Sequence, residues 1–198
     1  MDQALLLHTR STSMLLRNTD HSWGAAAKLL HWSVAALVFV QIALGWAAVT
    51  WHLSPTKLDL FVLHKSMGVL ILLLMLVRVA WRAVNTVPQL PADMQLLERR
   101  AARASHLLLY LVLLIMPVTG WIVTSAANIP FRVFWLLPMP AITEPDKAMA
   151  DAAARVHFAL FVMLSLLLVA HIGAALRHHF LKHNDVLKRM LPHTEGIK

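Results

Sequence analysis

The sequence predicts an all-α protein, an integral membrane four-helix bundle with both termini cytoplasmic, and three observations carry that expectation. The chain of 198 residues is 59% hydrophobic and only 14% charged, with a mean hydropathy of +0.64, outside the usual range of soluble globular domains. Four stretches are long and apolar enough to cross about 30 Å of hydrocarbon as helices of roughly 20 residues. The basic residues concentrate in alternate connections. The length suits one membrane domain, 1–198, in which 1–28 and 177–198 form a cytoplasmic arm and tail.

The first span covers 29–51. Nothing before it combines a short apolar run with a small-residue cleavage site, so it reads as a retained anchor. Ser54-Pro55 makes the first connection a short turn into the second span, 60–81. Pro88 and Pro91 open the second connection, where Met94, Leu97, Ala101 and Ala104 fall on one helical face. That segment is expected to lie along the inner membrane surface. The third span, 106–126, contains Pro117, expected to kink it. The third connection, 128–155, holds Pro130, Pro138, Pro140 and Pro145 with Phe131, Phe134 and Trp135. It is too proline-rich for a long helix and too aromatic for a solvated linker, and is expected to cover the outer face. The fourth span covers 156–176.

Direction follows from charge. The arm, second connection and tail carry 13 Lys and Arg against 6 acids; the first and third connections carry 5 (Lys57, Lys65, Arg132, Lys147, Arg155) against 4. By the positive-inside rule both termini face the cytoplasm. The net charge of +8 is therefore a signature of membrane topology and not of nucleic-acid binding.

With 0 Cys there is no disulfide framework, thiolate metal cage, iron–sulfur cluster or covalently attached haem. A metal must be held by histidine, of which the chain has 12. An ionisable residue within a span normally faces the bundle interior and marks function. His31 opens the first span from inside, His64 lies a turn into the second from outside, His106 opens the third from inside, and the fourth carries His157 and His171. The last two are 14 residues apart, within about 40° of four full turns and roughly 21 Å along the axis. They share a face at opposite membrane levels. The outer level then pairs His157 with His64; the inner pairs His171 with His31, the alternative being His106.

Structural zinc takes four protein ligands and catalytic zinc three, yet the spans contain no carboxylate. Haem needs only two axial protein ligands, and its apolar ring suits a lipid-like interior. Two histidine pairs therefore suggest two haems b. The same 14-residue step leads from His31 to Gly45 and from His106 to Gly120, so two outer-level positions lack a side chain and leave space for a porphyrin. From His64 it leads to Arg78, suited to a haem propionate or else snorkelling to the inner surface. Gly68 lies one turn from His64. By contrast His8, His21, His52, His183 and His193 read as interfacial. Trp32, Trp46, Trp51, Trp81 and Trp135 read as aromatic belts, and the ten Met as lipid-facing filler.

These residues match a known pattern: Leu30-His31-Trp32; Leu63-His64-Lys65-Ser66-Met67-Gly68, then Leu76-Val77-Arg78 and Trp81-Arg82; Ser105-His106-Leu107-Leu108-Leu109-Tyr110; Ser125-Ala126-Ala127-Asn128; and His157 with His171 before Ala174-Ala175-Leu176-Arg177-His178-His179-Phe180 and Met190-Leu191-Pro192. Over roughly 28–192 the chain resembles the bacterial cytochrome b561 family. The resemblance implies a four-helix cytochrome of the bacterial inner membrane with two b haems, exchanging electrons between an outer-face donor or acceptor and the quinone pool. It matches His31 and His171 to the inner ligands, His64 and His157 to the outer. Some members resemble superoxide oxidases that reduce ubiquinone; related proteins anchor dehydrogenases or hydrogenases.

The missing intramembrane carboxylates argue against a proton pump or carboxylate relay, so quinone would be protonated at an interface. His178, two turns after His171 on the same face, is the candidate quinone-side proton donor, against a plain interfacial histidine. Lys65, beside His64, is the candidate outer-side residue for attracting superoxide. The competing class is a membrane-anchor cytochrome subunit whose outer loop docks a periplasmic redox or lipid-carrier protein.

Overall fold

The computed structural model describes residues 16–91 and 94–191. His8, Arg10, His193 and Lys198 lie outside them. Helix α1 spans Ala25–Thr50, α2 Pro55–Ala83, α3 Leu96–Ala126 and α4 Lys147–Phe180. Strands β1 (Arg132–Val133) and β2 (Leu137–Pro138) pair antiparallel between α3 and α4, and a 3-10 turn, Lys188–Met190, follows α4. All four long helices are long and apolar enough to cross a membrane. At 1.5 Å per residue their 26 to 34 residues run to about 40–50 Å, more than the roughly 30 Å of hydrocarbon, so their ends project beyond it.

The ends are set by local chemistry. The carbonyl of Gly24 accepts from Lys28 N as α1 begins; a Cβ at Gly24 would stand 2.4 Å from two backbone oxygens, so only glycine fits there. Ser54 Oγ accepts from the amide of Lys57, and Pro55 occupies the first helical position of α2, where its missing N–H costs nothing. Lys57 Nζ donates to the carbonyls of Val49 and Trp51, which the end of α1 leaves unpaired. Asp146 Oδ1 accepts from Ala148 N at 2.8 Å and Met149 N at 3.2 Å, capping α4.

Two expectations need correction. Residues 96–105 do not form a separate surface segment: they are the first turns of α3, with Met94 buried just before it but Leu97, Ala101 and Ala104 exposed. Nor does the third connection reach residue 155. The cap at Asp146 starts α4 about two turns before the apolar stretch, because a helix requires a cap and propensity and not hydropathy.

The chain divides into two compact units, and each long helix contributes to both. The hairpin-bearing unit comprises Val34–Leu76 and His106–Leu168. Its core is Val34, Val38, Ile71, Met75, Leu109, Val112, Leu113 and Leu164. Trp46, Phe158 and Leu166 point outward, the reverse of a soluble fold and what a lipid surround favours. Ser66 Oγ, fully buried, donates to the carbonyl of Val62 and accepts from the amide of Phe134, tying the hairpin to α2. Phe134 and Trp135 in the hairpin loop both have positive φ, 49° and 60°.

The termini-bearing unit comprises Met1–Ser33, Val77–Ser105 and Val169–Lys198. Here Asn18 Nδ2 donates to Thr86 O while Thr86 Oγ1 donates to Asn18 O. Trp32 Nε1 donates to Met190 O at 2.8 Å, Arg189 to Gln89 O at 3.0 Å, and Arg177 pairs with Glu98 at 2.8 Å. The segment after α4 is thereby fastened beside α1, one residue from His31.

Candidate functional site

In the hairpin-bearing unit, α2 presents His64 and α4 presents His157, both half-buried, with ring centroids 6.3 Å apart and planes at 73°. In the termini-bearing unit, α1 presents His31 and α4 presents His171, again with centroids 6.3 Å apart, planes at 60°. Each pair stands within its own unit. Two metal–nitrogen bonds of about 2 Å plus the inner half of each ring add to about 6 Å, so each gap is the width of one two-coordinate bridge through a metal. Among the described residues no three His, Asp or Glu side chains gather. A metal held by either pair needs its remaining ligands from a macrocycle, which is what haem supplies. The donor set and spacing fit haem b twice over.

The glycines sit against the imidazoles themselves. A Cβ at Gly45 would lie 2.9 Å from His64 Cε1, and one at Gly120 would lie 3.3 Å from His157 Cε1. Each bare backbone admits the edge of a histidine ring, a neighbour that the expected porphyrin space did not include. A Cβ at Gly68 would meet Gln41 Nε2 at 3.4 Å, and Gln41 Nε2 donates to His64 O at 2.8 Å. Gln41 thus holds the backbone that carries His64. His157 Nδ1 lies 2.9 Å from Thr119 Oγ1 and 3.1 Å from Met116 O. Gln41, Met116 and Thr119 escaped the sequence reading, since their value lies in contacts across helices that no spacing rule reports.

Arg78 Nη2 stands 2.9 Å from His31 Nδ1. A guanidinium only donates, so Nδ1 accepts here and the ring proton lies on Nε2. His31 would hold a metal through Nε2 only in the opposite tautomer, with the Arg78 guanidinium turned to another acceptor. Lys65 Nζ lies 5.2 Å from the centre of the Phe131 ring and is half-buried, a cation–π contact. His178, only 8% exposed, lies in the termini-bearing unit, with Nδ1 2.9 Å from Asn184 Nδ2. The amide donor leaves the His178 proton on Nε2. His106 is exposed, His52 stacks on Trp51, and His21 and His183 are exposed.

A family model described as prokaryotic cytochrome b561 matches residues 22–193. The chain belongs to that family. Cytochrome b561 homolog 2 of Escherichia coli (strain K12) is 35% identical over 185 residues, covering 90% of this chain and 95% of that protein. At 25% identity stand the Yersinia pestis protein named Probable superoxide oxidase CybB, covering 84% of this chain and 94% of its own, and Cytochrome b561 homolog 1 of E. coli, covering 82% and 93%. Membership in the cytochrome b561 family, with four membrane-crossing helices, makes this a multi-pass inner-membrane protein with a haem b electron-transfer role.

Proposed function

We propose that this cytochrome b561 holds two haems b, one between His64 and His157 and one between His31 and His171, and exchanges electrons between an outer-side donor or acceptor and the quinone pool. The supporting observation is the recurrence of one geometry: two histidine pairs on different helices, each with centroids 6.3 Å apart. When bound, haem b supplies reversible one-electron chemistry. The chain's own residues do the rest. Gly45 and Gly120 admit the rings, Gln41 steadies the backbone of His64, and Arg78 offers a charge for a propionate once released from His31. Gly68 lets α2 pack closely on Gln41. His178 is the residue proposed to pass a proton in quinone reduction at the cytoplasmic boundary, its Nδ1 held by Asn184. The excess of basic residues in the arm, second connection and tail supports a cytoplasmic side for both termini.

For the outer reaction the proposed substrate is superoxide. Two superoxide ions are oxidised to two dioxygen molecules as one ubiquinone takes two electrons and two protons to the quinol. The support is a distant relative carrying the name superoxide oxidase and a cation, Lys65, next to His64. A competing reading, a membrane-anchor subunit docking a periplasmic redox or lipid-carrier protein, draws support from the exposed Trp135, Leu136 and Leu137 at the hairpin.

The test is a pyridine haemochrome assay on purified His157→Ala and His171→Ala. Each is expected to lose one of the two haems, and a different one by difference spectrum. Two unchanged spectra overturn the ligand assignment. Stopped-flow mixing with superoxide then separates the two outer roles. Near-diffusive reduction favours the oxidase, and sluggish reduction favours the anchor.

A further inference from the structure

The two histidines that face each other in the hairpin-bearing unit are held by different means. His157 is clasped by one turn of α3, Met116-Pro117-Val118-Thr119-Gly120. Thr119 Oγ1 donates to Met116 O at 2.7 Å, the back-bond common for threonine in helices. Its proton is thereby committed, and its oxygen faces His157 Nδ1 at 2.9 Å as an acceptor. Met116 O is a second acceptor for the same nitrogen at 3.1 Å. With acceptors on both approaches, Nδ1 must carry the ring proton, and Nε2 is left as a lone pair. Gly120 in the same turn admits the ring edge. Thr119 is 8% exposed, so water does not substitute for it. His64 has the matching glycine, Gly45, but its Nδ1 is buried with no hydrogen-bond partner among the described residues.

We propose that Thr119, acting with the Met116 carbonyl, is a positioning residue that fixes the tautomer of His157 and raises the basicity of its inward nitrogen. Sharing the Nδ1 proton with an acceptor makes the opposite nitrogen a stronger donor to a metal, and a stronger donor favours the oxidised ion. Of the two imidazoles in this pair, His157 is the one whose donor strength the protein sets. The role presupposes His157 as an iron ligand, and the test keeps the two ideas apart.

Purified holoprotein carrying Thr119→Val or Thr119→Ser is compared with wild type and His157→Ala by haem content and by potentiometric titration of the visible spectrum. Valine keeps the volume and removes the hydroxyl acceptor, leaving the Met116 carbonyl alone at Nδ1; serine keeps both acceptors. The expected result is that Thr119→Val retains both haems with one midpoint shifted upward and the other unmoved, while Thr119→Ser titrates as wild type. Loss of one haem in Thr119→Val with both kept in Thr119→Ser supports the same role. Two unchanged midpoints in Thr119→Val overturn it, as does equal damage in both Thr119 variants. If His157→Ala keeps both haems, the ligand assignment itself has failed.

Discussion

Gly45 is the residue on which the fit of the first pair turns most tightly. A methyl group there would approach His64 Cε1 to 2.9 Å, closer than side chains tolerate, whereas at Gly120 the approach to His157 is 3.3 Å and at Gly173 nothing among the described residues lies within 4 Å. Gly45→Ala is therefore expected to lower haem content in purified protein more than Gly120→Ala, and Gly173→Ala to leave it unchanged. Equal content in all three would contradict the crowding. Arg78 offers a second check at this scale. With its charge removed in Arg78→Leu, the haem assigned to His31 and His171 should wash out faster into apomyoglobin, and the other should not. The histidines themselves were legible because a 14-residue step needs only the helical period to be read. The glycines were legible as side-chain-free positions, but their partner was not. Nothing in a one-dimensional spacing distinguishes an imidazole edge from a porphyrin face.

Helix α4 shows what hydropathy conceals about elements. Its apolar stretch predicts a start near residue 156, yet Asp146 caps it and an exposed Lys147 to Asp151 pair decorates its first turns. Polar helix ends carry no membrane signal, and the readable clue was Asp146 after Pro145, a capping pattern. At the start of α3 a helical face was expected, but not its continuity with the span. Asp146→Ala should cost about 1 kcal/mol of local helix stability, read as faster hydrogen exchange at the amides of Ala148 and Met149. Unchanged protection would show that the cap is dispensable. The ion pair is too exposed to replace it.

For the whole molecule, the fold class followed from length, composition and four apolar runs, since a bilayer admits few alternatives to closed helical hydrogen bonding. The grouping into two units, each with one histidine pair, was foreshadowed by the two levels of histidine along the spans. The fastening of the post-α4 segment to α1 was not, because Trp32 to Met190 joins residues 158 apart in sequence. Because the chain has no cysteine, single Cys substitutions report topology cleanly. Gln3→Cys and Lys198→Cys in intact spheroplasts should resist an impermeant maleimide and react after permeabilisation, while Thr56→Cys should react at once. Labelling of either terminus from outside would reverse the orientation assigned from charge.

The loop between β1 and β2 keeps two bulky aromatic residues in a left-handed backbone region where an L side chain costs about 1 kcal/mol or more per residue. Its amide at Phe134 is moored to Ser66, two positions from His64. A tug on this tip therefore has a short mechanical route into the helix turn bearing an imidazole. A load on this tip reaches α2 through the Ser66 hydroxyl and through the Lys65 to Phe131 contact beside it.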